Sequence, residues 1–184
     1  ANVKGMAVGV TWSETFANGQ REVDLSTVVS PEELKSFGLS APWFEDGSAG
    51  VSAGIRFTKA GPQVDFKADL TDAGLKVEEI GWVKALGEAS DLTGTIVLQD
   101  EGVRAPKYLL TSDDLVVEGS FALTEVGDLR RFKFRRLQYR GAADAEVLGV
   151  SKDGGWNIVV DGALLDLTRF EDLLSGGASE DRTD

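Results

Sequence analysis

Strict alternation of apolar and polar residues is the feature that most constrains this chain. In Val51-Ser52-Ala53-Gly54-Ile55-Arg56-Phe57 the odd positions are apolar. In Val64-Asp65-Phe66-Lys67-Ala68-Asp69-Leu70 the even ones are. A period of two puts successive side chains on opposite faces of a strand, so each run has one dry and one wet face. Lys59-Ala60-Gly61-Pro62 lies between them and reads as a turn, which makes the pair an antiparallel hairpin. The same pattern predicts strands over 5–12, 21–28, 75–80, 92–99, 103–111, 114–123, 129–139, 144–152 and 156–161. Turn clusters such as Asn18-Gly19, Asp100-Glu101-Gly102, Ser112-Asp113-Asp114 and Asp153-Gly154-Gly155 separate them. The expected fold is therefore mainly β, an antiparallel meander.

One helix is predicted over 31–37. Ser30 caps it, Pro31 suits the first position, and Glu32 and Glu33 favour the positive end of the helix dipole. Leu34, Phe37 and Leu39 are expected to face the sheet, with Gly38 near the stop. A second short helix is expected over 168–174. The stretch 38–50 reads as a long loop. The chain is expected to be a single domain over 1–174, a fragment of a larger protein, followed by a disordered tail over 175–184. No apolar run reaches the roughly 20 residues needed to span a bilayer, and no signal peptide is evident at Ala1-Asn2-Val3-Lys4. Any anchor or export signal is expected to lie outside this sequence.

Composition narrows the chemistry. The 184 residues carry a formal net charge of −12, with no cysteine and no histidine. The acidic balance disfavours nucleic acid as a partner. Without cysteine there is no disulfide or thiolate metal site, and without histidine the commonest general base and metal ligand are missing. Gly50-Val51-Ser52-Ala53-Gly54 fits the hydrolase pattern G-x-S-x-G, but it continues into an alternating strand rather than a helix. Glu45-Asp46, Asp113-Asp114 and Glu79 are the candidates for calcium ligands or a catalytic carboxylate pair, but they lack EF-hand spacing, and the pairs fall at turns. No catalytic residue, metal or cofactor is expected, and the chain is read as a non-enzyme.

Arg130-Arg131-Phe132-Lys133-Phe134-Arg135-Arg136 is the one basic run. It is expected to pair across the sheet with acids such as Glu118, Glu125 or Glu146. Its apolar parity shifts from Phe132 and Phe134 to Leu137 and Tyr139, which predicts a β-bulge at Arg135-Arg136. The apolar stripe itself suits either the core of a closed β-sandwich or the lining of an open groove.

Several passages resemble the AsmA-like, YhdP-type envelope lipid-transfer family. They are Ala68-Asp69-Leu70-Thr71-Asp72-Ala73-Gly74-Leu75, Gly81-Trp82-Val83-Lys84, Gly87-Glu88-Ala89, Leu115-Val116-Val117-Glu118-Gly119-Ser120, and Asp153-Gly154-Gly155-Trp156 continuing to Leu165-Asp166-Leu167. The helix starting at Ser30-Pro31-Glu32-Glu33-Leu34 also fits, so the similarity runs over roughly 10–174. The resemblance implies a curved, taco-like β-groove that stacks against neighbouring β-groove repeats of the same chain. It implies that phospholipid acyl chains are shielded by Val51, Ala53, Ile55, Phe57, Val64, Phe66, Ala68, Leu70, Val117, Phe121, Ile158 and Val160. It also implies a periplasmic place within an inner-membrane-anchored protein that moves phospholipid towards the outer membrane. The alternative expectation is a closed β-sandwich scaffold or interaction module of an envelope protein, with no ligand.

Overall fold

The computed structural model describes residues 2–3, 6–15, 20–36, 41–58, 61–77, 81–99, 102–152 and 155–166. In chain order the elements are β1 (Asn2–Val3), β2 (Met6–Ala7), β3 (Gly9–Thr15), β4 (Gln20–Val29), α1 (Pro31–Ser36), β5 (Phe44–Gly47), β6 (Ala49–Thr58), β7 (Gly61–Asp69), β8 (Ala73–Val77), β9 (Trp82–Lys84), β10 (Ser90–Gln99), β11 (Gly102–Ser112), β12 (Leu115–Leu123), β13 (Leu129–Tyr139), β14 (Ala143–Lys152) and β15 (Gly155–Leu165). Ten of these strands form one open, curved antiparallel sheet in the order β15-β14-β13-β12-β11-β10-β7-β6-β4-β3. The mainly β, antiparallel fold expected from the alternation is the fold observed.

Neighbours in the sheet are neighbours in sequence except at two excursions. Between β4 and β6 the chain leaves to make α1 and β5, and between β7 and β10 it leaves to make β8 and β9. The excursions meet: β8 pairs with β5 on one side and β9 on the other, giving a separate three-stranded sheet. One expectation is corrected: the stretch read as a long loop over 38–50 contains β5. The strand expected over 75–80 is present as Ala73–Val77, in the small sheet, with 78–80 outside the described residues. The physical reason is non-local pairing, which a period-2 pattern does not specify. Gly47 makes the join possible. Its φ is +81°, and a side chain there would run into the Asp72 carbonyl, which accepts the Ser48 amide at 2.8 Å.

α1 opens the first excursion and is set by its own residues. The Glu33 carboxylate accepts the Ser30 amide at 2.8 Å, and the Ser30 hydroxyl accepts the Glu33 amide at 3.3 Å. This reciprocal capping box satisfies two amides that otherwise lack partners. Phe37, Gly38, Leu39, the second helix over 168–174 and the tail over 175–184 lie outside the described residues. The predicted bulge is present. The register shifts between Phe134 and Leu137 against β14, and Arg136 and Phe134 face adjacent residues Glu118 and Gly119 of β12.

The core sits where the small sheet covers one end of the large one. Phe44, Leu75 and Trp82 pack in one cluster with Leu70, Leu115 and Tyr139. Two hydrogen bonds fasten the layers: Trp82 Nε1 donates to Asp114 at 2.9 Å, and the Tyr139 hydroxyl donates to the Gly81 carbonyl at 3.2 Å. Lys84 is buried beside them. Its ammonium donates to the carbonyls of Thr71, Ala73 and Ala85 at 3.1, 2.8 and 3.0 Å, ending its three protons on three acceptors. Burial draws the Lys84 pKa below its ordinary value, while Glu88, Asp72 and Asp69 pull the other way.

Candidate functional site

Residues directly opposite each other in a ladder share a face, so register converts alternation into rows. The row nearest the small sheet runs Val51, Ala68, Leu92, Leu110, Val117, Leu137. The next runs Leu25, Ala53, Phe66, Gly94, Tyr108, Gly119, Phe134, Val147, Val160. A third runs Val23, Ile55, Val64, Ile96 and resumes past the β10–β11 bulge as Ala105, Phe121, Phe132, Gly149, Ile158. No residue in these rows carries a charge. One apolar face thus crosses nearly the whole sheet.

The residues expected from sequence fall on this face with one qualification. Phe57 lies opposite Pro62 at the far, uncovered end. Leu70 follows β7, donates its amide to Ser90 O at 2.8 Å and is buried under the small sheet, as are Ala68 and Val117. These three belong to the covered core, whereas Ala53, Ile55, Phe66, Phe121, Ile158 and Val160 line the part no second layer covers among the described residues. Sequence reasoning missed Leu92, Ile96, Tyr108, Leu110, Phe132 and Phe134. The signal was present, but bulges between Thr95 and Val97 and between Ala105 and Tyr108 change the parity midway along the strands.

Three aromatic rings pave the middle of the face. Phe66 lies over Gly94 of the next strand, Tyr108 over Gly119, and Phe132 over Gly149. A Cβ on Gly94 would sit 2.9 Å from the Phe66 ring, and one on Gly119 would sit 3.1 Å from the Tyr108 hydroxyl oxygen. At Gly149 the Phe132 ring already fills the space. Further ring contacts join Tyr108 to Phe121 at 5.8 Å, Phe132 to Phe134 at 4.8 Å and Phe132 to Trp156 at 5.4 Å between centroids. Burial pushes the Tyr108 phenol up, so it stays neutral on an uncharged face.

The opposite face is polar. The Asp65 carboxylate accepts from Thr95 Oγ1 at 2.6 Å, from Arg56 and from Gln63, and the Thr95 bond leads in holding its pKa below the usual carboxylate value. Lys67 pairs with Asp91 at 3.2 Å. Ser52 of the G-x-S-x-G match lies on this face in mid-strand, its hydroxyl 3.5 Å from the Lys67 carbonyl. Asp114 serves as the acceptor for Trp82, and Glu45 lies 3.9 Å from Lys76; Glu79 is outside the described residues. The basic run divides. Lys133 pairs with Glu146 at 3.5 Å and Arg136 stands opposite Glu118, as expected of cross-strand partners. Arg135 donates to the Pro106 carbonyl at 3.1 Å. No helix among the described residues is long and apolar enough to cross a membrane. Compared with protein-family models, with curated proteins and with solved structures, the chain matches none of them.

Proposed function

We propose that this chain is a non-enzymatic segment of a bacterial envelope protein that shields phospholipid acyl chains during transport from the inner to the outer membrane. The observation that carries this reading is the uncharged apolar face. It extends across the sheet from Val23 and Ile55 to Ile158, while a second layer covers only one end of it among the described residues. Each CH₂ brought out of water contributes about 0.8 kcal/mol, so a continuous apolar trough lowers the cost of taking an acyl chain from a bilayer. A trough of this kind needs no nucleophile, metal or cofactor.

The sheet is open, with β3 and β15 as its edges among the described residues. An unpaired edge invites another strand, which suits neighbouring β-groove repeats of the same protein. The resemblance to the AsmA-like family supports the same reading and a periplasmic location, with membrane anchoring through segments outside this chain.

Ile55→Asp and Phe66→Asp test the proposal. A carboxylate on an acyl-chain path must be desolvated or protonated as a chain passes, a penalty of several kcal/mol. The expected result is a folded variant that loses photo-crosslinking to phospholipid. Collapse of thermal stability in both variants, with no crosslinking in the parent chain, would instead favour a scaffold or interaction module without a ligand.

A further inference from the structure

The polar face holds a cleft of about 720 Å³ at the uncovered end of β11 to β14. Arg104, Arg130 and Arg131 line it together with Pro106, Ala122 and Val150, and no carboxylate does among the described residues. That is unusual in a chain with 31 acidic and 19 basic residues. Register explains the shape. Arg104 stands opposite Ala122, and Ala122 opposite Arg131, so two guanidinium side chains flank a methyl group. Two strand spacings place their backbones about 10 Å apart, which leaves room for an anion between them. Arg130 is the extra residue of the bulge between Leu129 and Arg131. Beside the cleft, the β12–β13 turn holds Val126 at its tip, 82 % exposed. Two backbone bonds between Thr124, Gly127 and Asp128 fix that turn.

We propose that this end of the sheet docks on a bilayer surface, with the Arg104–Arg130–Arg131 cleft taking the phosphate of an anionic phospholipid head group. Planar guanidinium groups match phosphate oxygens in pairs, and like charges side by side, with no ion pair among the described residues, favour an anion between them. Val126 supplies an apolar side chain at interfacial depth, which a soluble anion would not require. The long-range repulsion from the net negative charge is screened within a Debye length of about 8 Å, so the local patch governs the encounter. Glu125 and Asp128 in the same turn oppose the attraction, and screening of the arginine–phosphate attraction weakens the binding as salt rises. The cleft lies on the face opposite the apolar one, away from the proposed groove.

Vesicle flotation tests it. The probes are phosphatidylcholine vesicles, the same vesicles containing phosphatidylglycerol, and inorganic phosphate as competitor. The parent chain is expected to float with the anionic vesicles only, and less so as salt rises. The Arg104→Gln/Arg131→Gln double variant is expected to keep its melting temperature and its acyl-chain crosslinking but to lose vesicle binding about tenfold or more. Val126→Ser should weaken binding without changing the head-group preference. Absence of binding by the parent, equal binding by the double variant, or full displacement by inorganic phosphate would overturn the proposal, the last by assigning the cleft to a free anion. Loss of crosslinking with retained flotation would count against the groove alone.

Discussion

The two ends of the large sheet share strands and the same alternation, yet differ in what lies over them. At the covered end Leu115 and Tyr139 are 2 % and 7 % exposed; at the other end Phe57 and Trp156, on the same face, are 58 % and 43 % exposed. The difference comes from three short strands. β5, β8 and β9 place Phe44, Leu75 and Trp82 on the covered end, and nothing equivalent lies over the other among the described residues. Alternation therefore decides which face is apolar, and the excursions decide where that face becomes a core.

The largest effect that would break this comparison is expected from Trp82→Ala. Trp82 is 1 % exposed and donates to Asp114. Removing it should cost about 3–5 kcal/mol, since the cavity and the lost acceptor pairing add. Phe57→Ala at the uncovered end should stay within about 0.5 kcal/mol. Urea unfolding of both variants measures the contrast, and equal losses would show the two ends to be one core.

A smaller effect is expected in the middle of the face. Gly149→Ala sets a methyl group against the Phe132 ring, which must turn away. The cost should be about 1–3 kcal/mol, typical of overpacking. Because Phe132 contacts Trp156, tryptophan fluorescence should shift with it. An unchanged spectrum would mean that the ring does not depend on its glycine.

The smallest effect concerns Tyr108. Its folded pKa is raised by burial from an ordinary value of 10.0, so the folded state holds the proton more tightly than the unfolded state. The resulting stability is complete below pH 10.0 and is lost as pH rises beyond it, by up to about 1.4 kcal/mol per pH unit. Tyr108→Phe should leave neutral stability nearly unchanged and flatten the alkaline decline. A parallel decline in both proteins would place the phenol in solvent.

Much of the architecture was legible in the sequence because period two is a local property. The β6–β7 hairpin, the Ser30 cap and the Arg135-Arg136 bulge all follow from residues within a few positions of one another. The small sheet does not. Ala73–Val77 has the composition of any other strand here, and its partner Phe44–Gly47 lies in a segment that reads as a loop. Lys84 was equally opaque: a lysine in a strand reads as solvent-facing, and only the fold supplies the three carbonyls around its ammonium. On the apolar face, Ile55 and Phe66 could be assigned from alternation alone. Tyr108 and Phe132 could not, since bulges had to be counted first.

The pairing of rings with glycines has a consequence for motion. Phe66, Tyr108 and Phe132 each lean over the following strand, and in each case the neighbour supplies no side chain. At these three places the ring fills the hollow that the missing side chain leaves. A hydrocarbon chain lying there would find no notch to settle in and no ridge to climb, because dispersion attraction varies little where the atoms beneath are evenly spaced. Such a floor would resist sliding only weakly. It would hold a chain firmly in the direction away from the sheet and loosely along it, which is the mechanical character of a track rather than a pocket.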